Sequence, residues 1–243
     1  MTEHRPRPKR APRPDQRGRG PGKPGRAQPS RYEPVHLDDR LVRELKDTAR
    51  PGKGDILVKV FADAAAAFQA GDLVEATELA DQAKHIALRS ATVRELLGLA
   101  HYRAGRFKEA AAELAAFRRL SGTTEQNPVI ADCYRAMGRP EKAIEYCDEI
   151  EFKKVDPAIT FEGEIVAAGA LDDMGKLDEA IARLERLKLQ PEVAEEHHMR
   201  AWYALANLLE KKGRFSQARE WFEGVASGDP ELTDADERLK RLS

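Results

Sequence analysis

The sequence predicts an all-α fold, a right-handed solenoid of about five helix pairs, and two observations carry this prediction. A glycine is followed five residues later by an alanine, and this motif recurs five times with polar residues between the two. Successive motif glycines lie 34, 33, 37 and 38 residues apart, with amphipathic helical patterning on both sides. Repeats of this length are typical of helix–turn–helix solenoids. The motifs run from Gly71 to Ala76, Gly105 to Ala110, Gly138 to Ala143, Gly175 to Ala180 and Gly213 to Ala218.

The first segment, residues 1–34, differs from the rest of the chain in composition. It holds eight of the fourteen prolines and ten Lys or Arg against three acids, with no Val, Leu, Ile or Phe. Its net charge is therefore +7, and because the whole chain carries -1, the remainder carries -8. Such a segment cannot bury enough apolar area to offset its ordering entropy. We expect a disordered basic arm.

Residues 35–54 predict a short helix and a linker. Leu37, Leu41 and Leu45 recur at every fourth position, which is the spacing of one helix face. The run from Arg50 to Gly54 contains Pro51 and two glycines, which end a helix.

The solenoid is expected over residues 55–230, and the motif residues have physical roles there. Each motif glycine supplies the left-handed conformation that ends a helix. Each motif alanine lies where two antiparallel helices cross most closely, so that a larger side chain would push them apart. Three prolines follow a capping residue and are expected to begin helices. These pairs are Asn127-Pro128, Asp156-Pro157 and Asp229-Pro230.

A final helix is expected over residues 231–243, with Leu232, Leu239 and Leu242 on one side. Solenoids need such a cap because the last repeat otherwise exposes its apolar stacking face.

The last repeat resembles the tetratricopeptide consensus at eight positions. These are Trp202, Leu205, Ala206, Leu209, Gly213, Ala218, Phe222 and Pro230. The second repeat is also similar, with Leu97, Gly98, Gly105, Ala110 and Leu114, whereas the first matches poorly because Asp63 stands at an apolar position. The resemblance covers residues 55–230. Together with the basic arm, it is also similar to an uncharacterised actinobacterial group of tetratricopeptide proteins.

The resemblance implies a concave groove lined by the first helices of successive repeats, where family members bind proteins or peptides. Its groove positions combine aromatic, basic and acidic side chains, which is typical of a recognition surface. A groove of merely solvated side chains is the alternative. The candidate binding residues are Tyr102, Arg103, Asp132, Arg135, Asp172, Tyr203, Asn207, Glu210 and Lys211.

The chain departs from the arrangement with which family members clamp a peptide's terminal carboxylate. That clamp needs several Lys, Arg and Asn side chains across two adjacent repeats. Only Asn207 and Lys211 occupy such positions here, and the preceding repeat offers acids. We therefore expect a different ligand.

Signals of catalysis are scarce, so we expect no enzyme, no cofactor and no metal. No phosphate-binding glycine loop is present in the repeats. Cys133 and Cys147 lie in apolar helical patterns and are expected to be buried free thiols. His101 stands at a packing position, which favours a core histidine over a partner of Cys133. His197 and His198 are expected at a solvated helix start.

We predict a cytoplasmic interaction scaffold that takes a partner peptide or helix into its groove, with no membrane segment. The alternative is an RNA- or ribosome-associated factor acting through the arm. Arginines in Arg-Pro and Arg-Gly runs neutralise phosphates with little sequence preference. The arm residues assigned to such a contact are Arg13, Arg17 and Arg19.

Overall fold

A computed structural model describes residues 32–187, 189 and 193–242. Within these residues it contains twelve α-helices and no strand. The helices are α1 (Asp39–Thr48), α2 (Gly54–Gln69), α3 (Leu73–Ile86), α4 (Ala91–Arg103), α5 (Phe107–Ser121), α6 (Asn127–Ala136), α7 (Pro140–Asp148), α8 (Pro157–Asp173), α9 (Leu177–Glu185), α10 (Glu196–Lys211), α11 (Phe215–Gly228) and α12 (Ala235–Arg241).

Ten of these helices form five successive pairs, from α2 with α3 to α10 with α11. Each helix packs on the next in chain order, and the first helices α6, α8 and α10 also pack along one another. This arrangement is a helical-repeat solenoid and confirms the predicted fold class.

The motif glycines end the first helix of each pair, as predicted. All five have φ between 69° and 83°, the left-handed region in which a Cβ is disfavoured. At the first of them, Gly71 donates its backbone N–H to the carbonyl of Phe68, and Asp72 donates to the carbonyl of Ala67 over 3.0 Å. The glycine therefore satisfies the last carbonyls of α2 and turns the chain into α3.

The motif alanines lie in the interior of the pairs. Each of the five is completely buried, with 0% of its surface exposed. The two ends of the solenoid are covered as well, because Leu45 of α1 and Ala235 of α12 are buried in the terminal apolar clusters. The flanking helices therefore protect the stacking faces that the end repeats would otherwise expose.

The helix start predicted at Asn127-Pro128 is confirmed, because α6 begins there with Pro128 in its first turn, but one predicted cap and one other predicted start are wrong. Asn127 does not cap α6; it is fully buried inside it and donates its side-chain N–H to the carbonyl of Tyr146 over 2.8 Å. No helix begins at Pro230, because the Asp229 side chain accepts a hydrogen bond from the N–H of Glu231 and holds a turn. Asp156 does cap α8, accepting from the N–H of Ala158.

The last helix is shorter than the segment expected to form it. It spans α12 only, and residues 230–234 before it form turns and bends. Thr233 accepts a hydrogen bond from the N–H of Ala235, so the side chains of this stretch compete with helix formation.

Most of the predicted basic arm, including Arg13, Arg17 and Arg19, lies outside the described residues. Tyr32, which was assigned to the arm, packs beside Phe68 and donates its hydroxyl to Asp72 over 2.7 Å. None of the helices that the structure describes is long and apolar enough to cross a bilayer.

Candidate functional site

A groove runs along the first helices α4, α6, α8 and α10 and contains two adjoining cavities. The larger, of about 420 Å³, lies between α8 and α10, and the smaller, of about 340 Å³, lies between α4, α6 and α8. Arg135, Ile165 and Arg200 line both cavities, so the two are neighbouring parts of one groove.

Six of the nine residues assigned to binding line these cavities. Tyr102 and Asp132 line the smaller cavity, Arg135 lines both, and Asp172, Tyr203 and Asn207 line the larger.

The other three line neither cavity. The Arg103 guanidinium stacks over the ring of Phe68, 4.2 Å from its centre. Glu210 accepts a hydrogen bond from Arg238 over 3.1 Å. Lys211 donates to Asp172 over 2.6 Å, so it touches a lining residue from outside.

The polar side chains of the groove bind one another across successive repeats. The Tyr102 hydroxyl of α4 donates to Asp132 of α6 over 2.7 Å. Arg135 of α6 donates its Nε to the carboxylate of Asp173 of α8 over 2.6 Å. Each of these contacts therefore connects one first helix to the next.

The same pattern continues to the end of the solenoid. Arg200 of α10 donates through two nitrogens to Glu162 of α8, one of them over 3.1 Å. Tyr203 of α10 donates to Asp234, which precedes α12. We call these four contacts, together with Lys211–Asp172 and Arg238–Glu210, the groove ladder.

The groove ladder neutralises most of the charge in the middle of the groove. The hydrogen bond to Asp173 raises the pKa of Arg135, and burial together with Asp132 raises the pKa of Tyr102. Both side chains therefore keep their protons and donate. Ion pairs this exposed each contribute on the order of 0–1 kcal/mol to the free energy of unfolding. The ladder therefore orients side chains more than it stabilises the fold.

The groove floor is apolar, and none of its residues is among the candidates named from the sequence. Its small residues Ala168, Gly169 and Ala204 lie on α8 and α10 and give the larger cavity its depth. A Cβ placed on Gly169 would lie 2.7 Å from the Arg135 guanidinium carbon, so that guanidinium lies directly over the glycine. Small residues at two successive positions of a first helix were the signal that could have indicated this floor.

Asn207 presents an unpaired hydrogen-bond acceptor beside the floor. Its side-chain oxygen is buried and has no partner among the described residues. A buried polar atom without a partner costs free energy, which a ligand N–H would recover.

An acidic group lies at the α4–α6 end of the groove. Gln126, which lines the smaller cavity, donates to Glu95 of α4 over 2.8 Å. Burial raises the pKa of Glu95, and the neighbouring carboxylates Glu125 and Glu44 add to the effect. Neither Glu95 nor Glu125, which precedes α6, is among the nine candidate binding residues named from the sequence.

Glu95→Gln should raise the melting temperature at pH 7, because glutamine keeps the acceptor for Gln126 and removes the half-buried charge. Because the pKa of Glu95 is higher in the folded chain than in the unfolded chain, the folded state favours the protonated side chain. The stability that this provides is fully present below the unfolded pKa, and it is lost as pH rises through the folded pKa. The gain in melting temperature from Glu95→Gln should therefore disappear below about pH 4, where the glutamate is protonated in both states. Thermal melts at both pH values measure it. The exposed Glu141→Gln is the control, and an equal gain in both variants would contradict the prediction.

The thiols and histidines of the repeats have structural surroundings. Cys133 and Cys147 are buried and free, as predicted, and burial raises the pKa of both thiols to about 12. Burial also lowers the pKa of His101. A protonated thiol is a poor nucleophile, which favours the packing interpretation.

The expected solvated start of α10 is wrong. His198 is 8% exposed, and the rings of His197 and His198 both pack edge-on against Phe161, with centres 4.7 and 4.9 Å away. His198 also accepts the backbone N–H of Glu195, so it caps the helix. In the described part of the chain, no group of three His, Cys, Asp or Glu residues is arranged to hold a metal ion.

Comparison with known families identifies the repeats. Residues 166–232 and residues 129–150 each match a model of the tetratricopeptide repeat. No curated protein matches the sequence at a significant level.

Several solved structures have a similar fold. A thermophilic tetratricopeptide protein of Thermus thermophilus is 16% identical with a TM-score of 0.57, over 76% of this chain and 98% of that one. PilF of Pseudomonas aeruginosa is 15% identical with a TM-score of 0.58, over 79% and 90%. YrrB, described as having an unusual peptide-binding site, is 18% identical with a TM-score of 0.52, over 83% and 96%. The chain therefore contains tetratricopeptide repeats stacked as a helical solenoid.

Proposed function

We propose that this protein is a non-enzymatic scaffold that holds a segment of a partner protein in its groove. The observation that carries the proposal is the pair of adjoining cavities, of about 420 and 340 Å³, along four consecutive first helices. A segment lying there would contact side chains from four repeats at once. The apolar floor would supply most of the binding free energy and the polar rim the orientation.

The chemistry of the groove supports binding rather than turnover. Asp172, the carboxylate in the lining of the larger cavity, is paired with Lys211. The described thiols are buried and protonated. Tetratricopeptide proteins include a relative in fold, YrrB, whose description names a peptide-binding site. The cytoplasmic location expected from the sequence stays a prediction.

The test uses two tryptophan substitutions, one inside the groove and one on a surface outside it. Ala204→Trp would fill the larger cavity. Ala182→Trp places the same ring at an exposed position of α9, outside the groove. Both variants are first checked for folding by circular dichroism. We expect a protein from the host lysate to bind the parent chain and the Ala182→Trp variant at equal levels, and to be lost from Ala204→Trp.

Equal recovery on all three chains would contradict groove binding and would assign the partner to another surface. Recovery lost from both variants would indicate that the outer wall participates, which also contradicts the proposal as stated.

A further inference from the structure

The middle of the groove offers a ligand little free charge. Arg135 and Arg200, the two arginines that line both cavities, are paired with Asp173 and Glu162 across repeats. An incoming charged side chain would have to break a contact that already exists. The ladder therefore disfavours a strongly charged segment at this point.

The larger cavity suits an uncharged side chain of considerable size. Ile165, Ala168, Ala204 and Leu208 form an apolar lining, and about 420 Å³ accommodates an aromatic or long aliphatic group. The unpaired oxygen of Asn207 adds one acceptor at the edge of that lining. A main-chain N–H beside the buried side chain would satisfy it.

The α4–α6 end has the opposite character. Glu125 and Gln126 line the smaller cavity, and Gln126 donates a hydrogen bond to Glu95. Among the described residues, no Lys or Arg forms an ion pair with either carboxylate. Glu44, which contributes to the same electrostatic field, accepts a hydrogen bond from the hydroxyl of Thr92. This end is therefore complementary to a positive charge.

We propose that the occupant of the groove is a peptide segment carrying a large apolar side chain, seated between α8 and α10, and a Lys or Arg, seated beside Glu95 and Glu125. The inference depends on the proposed function, since it specifies the partner of the same groove. The net charge of -8 on residues 35–243 also attracts a basic segment from a distance. An acidic segment would instead meet uncompensated carboxylates at the α4–α6 end.

Selection from a random library of displayed peptides tests the proposal without knowledge of the natural partner. The peptides have about twelve residues, enough to span about 40 Å when extended. The full chain, the Ala204→Trp variant and the Ala182→Trp variant are panned in parallel. Groove-dependent peptides are those enriched on the full chain and on Ala182→Trp but not on Ala204→Trp.

We expect the groove-dependent peptides to combine a large apolar residue with Lys or Arg. Groove-dependent peptides that are acidic or lack a basic residue would overturn the inference and leave the proposed function intact. Basic peptides enriched equally on Ala204→Trp would overturn it too, since they would be held by surface charge alone. If no peptide depends on the groove, the proposed function itself fails.

A double-mutant cycle then assigns the basic residue to its carboxylates. One selected peptide is synthesised with its Lys or Arg and with Gln in that place, and both forms are titrated by fluorescence anisotropy. Glu95→Gln with Glu125→Gln should weaken the basic form about five-fold, the equivalent of about 1 kcal/mol, and leave the Gln form unchanged. Glu141→Gln with Glu220→Gln removes the same charge from exposed sites outside the groove and is the control. Equal weakening by both pairs would overturn the assignment.

Discussion

Phe222→Ala is expected to lower the free energy of unfolding by about 3–5 kcal/mol. Phe222 of α11 is completely buried and belongs to the apolar cluster that contains Leu205, Leu209 and Val225. Its ring also meets that of Tyr203 edge-on, with centres 5.7 Å apart. Truncation removes these contacts and leaves a cavity between α10 and α11. Urea denaturation followed by circular dichroism measures the loss.

Phe215→Ala is the matched control, because the same residue type lies on the same helix but is 55% exposed. Its effect should stay within about 0.5 kcal/mol. Similar losses in the two variants would contradict the packing of α11 described here.

Ala110→Leu and Ala218→Leu should each destabilise the chain by about 1–3 kcal/mol through overpacking. Both alanines are fully buried in helix crossings, so the added atoms must displace a neighbouring helix. The effect tests the register of the repeats, since a shift of one residue would place another side chain at the crossing. Denaturation curves measure it for each variant.

Ala112→Leu provides the comparison, because Ala112 lies on α5 two residues from Ala110 but is exposed. It should leave the stability almost unchanged, as leucine is nearly as good a helix former as alanine. Unchanged melting of Ala110→Leu would show that the crossing has room and that the predicted role of the alanine is wrong.

The fold could be predicted because its signals are local. The motif glycines must adopt positive φ, and the motif alanines must be small, so both recur at the repeat period. The starts of helices were less predictable, because a cap is chosen by competition among nearby groups. Asp229 forms a turn with its own neighbours. The Asn127 side chain instead donates to the carbonyl of Tyr146, nineteen residues away.

The groove was only partly predictable from the sequence. Its first helices could be located, but the pairing of its side chains joins residues 28 to 39 apart, as in Arg238 with Glu210 and Lys211 with Asp172. Such pairs depend on the rotation of each repeat against the next, which no single repeat encodes. The small residues of the floor, such as Gly169, have a role only when Arg135 from the preceding repeat lies over them.

The groove ladder has a mechanical consequence. Its contacts join the first helices of neighbouring repeats along the groove, so each acts as a strut between two repeats. A bound segment that drew Asp132 or Asp173 away from its partner would release one strut and let two repeats pivot about their remaining contacts. Occupancy of the inner face would then be transmitted to the outer helices as a change of curvature.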